Sequence, residues 1–163
     1  MKRKIGAYHL WLMGMLVVSL VGCALRAPEN KAPVDLEIIH SWSGDFPVDQ
    51  LNRLPEGQRR SRVGCISDPE IFADVWQVLM PGEPAPQVDF GRNLVVFSRN
   101  VTYFNRTRIF KVTLSGGVAE ILAMETMSAR PIEDKLAMAL AVVSRSGIGF
   151  IQSGDEQIPV IGY

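Results

Sequence analysis

The segment SDPEIFADVWQVL, residues 67–79, is the stretch of this chain whose apolar spacing is plainly helical. Ile71, Phe72, Val75, Trp76 and Leu79 recur at the three- and four-residue intervals that bring side chains onto one face of an α-helix. Gln77 falls on the opposite face. Ser67 and Glu70 have the spacing of a capping box, and Pro69 lies in the first turn, where its missing N–H costs little. MPGEPAP (80–86) ends the helix, because proline and glycine cannot continue it. An apolar stripe of this width needs a cover, and the rest of the chain must supply it.

Working outward, the flanking segments read as strands. In VDLEIIHSWSG (34–44), Val34, Leu36 and Ile38 alternate with Asp35 and Glu37. DFPVDQLNRLPEGQRRSR (45–62) is polar and reads as loop with one short turn of helix. RVGCI (62–66) is a short apolar run. After the helix, RNLVVFSR (92–99) is an apolar strand with charged ends. RIFKVTLS (108–115) places Phe110, Val112 and Leu114 on one face and Lys111 and Thr113 on the other. A turn at SGG (115–117) leads to VAEILAMETM (118–127). SARPIED (128–134) then reads as the long loop of a hairpin whose second arm is KLAMALAVVS (135–144). That arm carries Leu136, Met138, Leu140 and Val142 on one face and Ala137, Ala139, Ala141 and Val143 on the other. Strict alternation of size favours a strand covered on both sides, while Ala and Leu would also permit a helix. IGFIQS (148–153) and QIPVIGY (157–163) read as closing strands. The expected fold class is α+β: one main helix packed on a largely antiparallel sheet, formed by a single domain over residues 34–163.

The N-terminus carries an address. MKRK is followed by LWLMGMLVVSLVG (10–22), an uncharged run shorter than the ~20 residues that span a bilayer. A basic start, a short apolar stretch and a small-residue exit describe a secretory signal peptide over residues 1–22. The exit, Leu20-Val21-Gly22-Cys23, resembles the lipobox of bacterial lipoproteins. That resemblance implies that the Cys23 thiol receives a diacylglyceryl group, that cleavage follows just before it, and that the new amino group is acylated. Several acyl chains hold a protein on a membrane because each buried methylene contributes ~0.8 kcal/mol. Residues 23–33, rich in Ala, Pro and charge, read as a tether. In Gram-negative lipoproteins an Asp after the cysteine commonly retains the protein at the inner membrane. Ala24 therefore implies the outer membrane, facing the periplasm.

Composition narrows the function classes. Removing Lys2, Arg3 and Lys4 from the 17 basic residues leaves 14 against 17 acidic ones, which is no nucleic-acid footprint. With two cysteines in all and Cys23 claimed by lipid, Cys65 has no internal disulfide partner. Its apolar neighbours point to an inert buried thiol, although it precedes a helix N-terminus. Past the signal peptide the one histidine is His40. Ser41 beside it on a strand points to the other face, and no Gly-x-Ser-x-Gly elbow exists, so no catalytic residue is expected. One His and one thiol cannot build a zinc site, so no metal or cofactor is expected. Met124 and Met127 read as core packing. Arg59, Arg60 and Arg62 form one cationic cluster; Arg99, Arg106 and Arg108 flank NVTYFN (100–105). These arginines are solvated surface or contacts for anionic lipid or an acidic partner. Asn100 and Asn105 stand in glycosylation sequons, which carry no consequence in a bacterial lipoprotein.

FADVWQVLMPGEPAPQVDFGRNLVVF (72–97) resembles the C-terminal domain family named after an accessory lipoprotein of a bacterial protease complex. The resemblance rests on Trp76, Pro86, Val88, Asp89, Phe90, Leu94, Val95 and Val96. It implies a small α+β domain, with Asp89 capping a turn and Phe90 and Trp76 packing helix on sheet. The family's next feature is a Gly-Gly-Tyr-like turn. Here RNVTYFNRTR (99–108) has Tyr103 without the glycines, so the family's binding role does not carry over with it. The expected function is a membrane-anchored lipoprotein with a non-catalytic binding or accessory domain that acts on an envelope protein. Candidate partner contacts are Arg59, Arg60, Arg62 and Tyr103. The alternatives are a small envelope hydrolase using His40 and a lipid-binding or envelope-structural protein.

Overall fold

The computed structural model describes residues 32–161 and, for residues 45, 48, 101–105 and 131–134, the backbone alone. Residues 1–22, expected as a signal peptide, Cys23, and most of residues 23–33, expected as a tether, lie outside the described residues. The chain is mixed α and β, and strand dominates. In order, it forms β1 (Val34–Leu36), β2 (His40–Pro47), a 3-10 turn (Val48–Arg53), helix α1 (Glu56–Arg60), β3 (Val63–Ile66) and helix α2 (Pro69–Leu79). Then follow β4 (Asn93–Ser115), β5 (Val118–Ser144), β6 (Phe150–Ser153) and β7 (Glu156–Pro159).

The frame is a two-stranded ribbon. β4 runs 23 residues and β5 runs 27, against about 5–6 for a typical strand. They pair antiparallel along their whole length, from Asn93 opposite Ser144 to Ser115 opposite Val118. Gly116 and Gly117, with φ of 56° and 86°, make the two-residue turn, which needs left-handed backbone at both positions. Pairing slips between Val101 and Thr102, twice more before Arg106, and again between Ile109 and Lys111. Such bulges bend a ribbon and raise its twist. The two ends of the ribbon thus belong to two halves of one hydrogen-bonded sheet. One half is β3, residues 93–101, residues 136–144 and β2; the other is β1, residues 112–115, residues 118–121, β6 and β7. All pairings are antiparallel except β5 with β6.

Two cores lie on opposite faces of the first half. Leu136, Met138, Leu140 and Val142 join Val95, Phe97 and the α2 residues Phe72, Val75, Trp76, Val78 and Leu79. Ala139, Ala141 and Val143 join Leu94, Val96, Ile109, Val112, Ala119, Ile121 and Ile151. The size alternation in 136–143 is the imprint of these two covers, and the strand reading holds against the helical one. Gly64 lies opposite Phe97, and a Cβ there would come within 2.6 Å of the Phe97 ring, so only glycine lets the ring cross β3.

The structure corrects several expectations. SARPIED is not the loop of a hairpin; β5 runs through it, and the register slip from Ile132 opposite Thr102 to Met127 opposite Phe104 absorbs the extra residues. Residues 92–99 and 108–115 are parts of one strand. Phe110 is 52 % exposed while Ile109 and Val112 are buried, because the bulge between Ile109 and Lys111 exchanges the faces. Met124 and Met127 are exposed, not core, since they sit on the ribbon beyond the reach of the two covers. The strand expected over 34–44 is broken into β1 and β2, which pair with different partners. Asp68, not Ser67, caps α2: its Oδ1 accepts from Glu70 N (2.8 Å) and Ile71 N (3.0 Å).

Trp76 is 6 % exposed and packs edge-on against Trp42 with ring centroids 5.4 Å apart. Trp76→Ala removes an aromatic core residue, and the denaturation midpoint should fall by an amount equivalent to ~3–5 kcal/mol. Gln77 is exposed but not idle, since its side chain donates to Glu83 O (2.8 Å) and steadies the turn after α2. The control is therefore Asp74→Ala, on the exposed face, which should shift stability by less than about 0.5 kcal/mol. Urea titration of both variants checks this.

Candidate functional site

β2 borders the two hollows that make up the candidate site. Its sequence, HSWSGDFP, alternates: Trp42 and Phe46 pack with the α2 core, while Ser41 and Ser43 fall on the other face. Among the described residues β2 pairs with β5 alone, so its second edge has no strand neighbour. Two hollows share Ser41, Ser43 and Gly44. On the helix side, a groove of about 500 Å³ is lined by Trp42, Phe46, Pro47, Trp76, Leu79 and Met80. On the other side, a hollow of about 480 Å³ brings Ser41, Ser43 and Gly44 against Arg106 and Arg108.

The two sides differ in chemistry. The groove is aromatic: Trp42 lies between His40 (6.1 Å), Phe72 (6.0 Å) and Trp76, and Phe72 in turn meets Phe90 at 5.7 Å. Trp76 Nε1 is buried without a hydrogen-bond partner among the described residues, a group that costs about 1–3 kcal/mol to leave unpaired. The other side is cationic. Arg106 and Arg108 are exposed, and neither forms an ion pair among the described residues. A larger hollow of about 590 Å³ between Pro69 and residues 85–90 offers one titratable side chain, Asp89. That carboxylate already accepts from Gly91 N (3.0 Å) and caps the turn into β4.

The cluster of Arg59, Arg60 and Arg62 is divided by its surroundings. Arg60 pairs with Glu56 one helical turn away, and Arg62 pairs with Glu156 of β7 at 3.3 Å. Arg59 is exposed, and its carbonyl accepts from Arg99 Nη2 at 2.7 Å. Arg99 is buried and also donates to Ser61 O at 2.8 Å, so it fastens the turn after α1 to β4 instead of facing solvent. Burial pulls its pKa down, and the charge of Glu156 works the other way. Tyr103 lies on β4 among residues whose side chains are not described. Asn100 is buried, and its amide donates to Thr107 Oγ1 (3.2 Å) and to Glu125.

His40 is exposed at the start of β2, its ring against Trp42 and on the face opposite Ser41. Among the described residues no three His, Cys, Asp or Glu side chains gather as metal ligands would. No helix among them is long and apolar enough to cross a membrane. The candidate site that sequence reasoning missed is β2 itself. Its signal was the alternation of Trp42 and Phe46 with two serines; the pairing of Ser41 and Ser43 with Arg106 and Arg108, more than sixty residues on, had none. No protein-family description, curated protein or solved structure matches the chain.

Cys65 is half-buried on β3, and burial raises its thiol to about 11, against a smaller opposing pull from Arg145. From an ordinary 9.0 to about 11 is two powers of ten in thiolate at neutral pH. Iodoacetamide should therefore alkylate Cys65 about 100-fold more slowly at pH 8 in the native Cys23→Ser chain than in the same chain in urea. The raised value also sets a sign. The contribution of Cys65 to stability is fully held below pH 9 and is lost as the pH climbs toward 11, because the unfolded chain gives up its proton first.

Proposed function

We propose that the chain is a lipid-anchored lipoprotein of the bacterial cell envelope, and that its folded part is a non-catalytic binding or accessory module for an envelope protein. One main helix on a largely antiparallel sheet is the scaffold, and β2 is the working edge. The observation that carries this reading is the edge of β2, without a strand neighbour among the described residues, between an aromatic groove and a cationic hollow. A catalytic site needs convergent acid, base and nucleophile. A docking edge needs unpaired backbone and flanking pockets, and among the described residues β2 has both.

The anchor rests on Leu20-Val21-Gly22-Cys23 and on the basic, short apolar run before it. Residues 23–33 then serve as the tether, with Ala24 directing the protein to the outer membrane on its periplasmic side. The resemblance of residues 72–97 to the protease-accessory lipoprotein family supports the small α+β scaffold alone. In the described residues that segment supplies Trp76 to the groove.

The anchor is tested with Cys23→Ser in a bacterial host supplied with radiolabelled palmitate. The serine variant should incorporate no label and should accumulate as a precursor that keeps residues 1–22. Unchanged incorporation would refute the lipoprotein reading.

A further inference from the structure

We propose that β2 receives an extended peptide strand from its partner, one whose side chains alternate apolar and acidic. The inference rests on the binding-module reading and names the ligand of that module. An edge strand turns the N–H and C=O groups of alternate residues away from its sheet neighbour, where an incoming strand can pair with them. β2 is eight residues long, the longest of the described strands with one unpaired edge, since β1 has three residues and β3 and β7 have four each. Edge strands are commonly guarded by lysine and proline; His40–Pro47 contains neither Lys nor Arg, its one acidic residue is Asp45, and its one proline is the last residue, which leaves His40–Phe46 free of proline. An added strand would lie ~4.8 Å outside β2 and send successive side chains to opposite faces. Those on one face reach Trp42, Trp76 and Met80; those on the other reach Arg106 and Arg108. Apolar groups satisfy the first row and carboxylates the second.

The cations also argue against the two obvious competitors. A second copy pairing β2 to β2 about a two-fold axis would bring its own Arg106 and Arg108 to the same face, setting like charges against like. An anionic lipid would use the arginines but leave the strand edge and the aromatic groove without a role.

The test uses the full lipidated chain in detergent and fluorescein-labelled synthetic peptides read by anisotropy. A peptide alternating Val and Glu should bind, and its Val–Lys counterpart should not. N-methylating the Val amides or the Glu amides blocks one edge of the peptide at a time; one of the two should abolish binding and the other should spare it. Arg106→Glu with Arg108→Glu should weaken the Val–Glu peptide by about ten-fold or more and transfer binding to Val–Lys. The peptide comparisons need no variant, so they stand even if the double variant folds poorly. Binding indifferent to both methylation patterns would overturn the inference. So would sedimentation showing that the chain dimerises through β2, or arginine-dependent flotation with phosphatidylglycerol vesicles without peptide binding. Failure of every peptide removes the strand-addition inference alone. The broader binding-module reading falls only if the anchored chain also recovers no partner from envelope extract.

Discussion

Burial of residues 136–143 on both faces is the constraint from which the rest follows. Leu136, Met138, Leu140 and Val142 look toward α2, and Ala137, Ala139, Ala141 and Val143 are equally buried on the reverse. A strand covered on one side needs only a helix. Covered on both, it needs a second layer, and the chain supplies one by bending its own ribbon. The alanines fit this role because small side chains let the two layers approach, while Ile109, Val112 and Ile121 fill the space from the returning half. The bulges near residues 102–106 and 109–111 are therefore part of the fold, since an unbroken ladder of this length could not turn back on itself.

The same bend makes the candidate site. It swings Arg106 and Arg108 to the side of β2, so that a strand near the start of the domain and a segment of β4 border one hollow. On the opposite face, α2 brings Trp76 and Leu79 beside Trp42 and forms the groove. β2 thereby stands between two chemically distinct surfaces while its outer backbone edge has no strand neighbour among the described residues. The arginines that look most exposed in sequence do other work. Arg99 ties down the turn after α1, Arg62 joins β3 to β7, and Arg60 closes on α1. Of these arginines, Arg59 and the pair that faces β2 form no ion pair among the described residues.

How much was legible follows from the range of each interaction. The helix at 69–79 and its buried face are written in local spacing, as is the two-sided strand at 136–143. The glycine turn at 116–117 is equally local. What periodicity cannot carry is register. The hairpin expected across SARPIED and the single face expected for Phe110 and Val112 both presume unbroken pairing, and one slipped residue reverses every side chain beyond it. Val78 escaped the helical count although it is buried, because α2 is covered over a wider arc than its strongest stripe. The site was half legible: Trp42 and Phe46 announce one face of β2, but its cationic neighbour depends wholly on the bend.

Methyl-resolved nuclear Overhauser spectroscopy tests the folded ribbon most directly. The methyls of Ala139 and Ala141 should show contacts to Ile109, Val112 and Ile121, and those of Leu140 and Val142 to the α2 core. Cross-strand Hα contacts should join residues 93–101 to 136–144. Contacts that instead join residues 118–127 to 135–144 as neighbouring arms across SARPIED, with Ala139 and Ala141 near none of the three, would contradict the bent ribbon and remove the cationic side of the site with it.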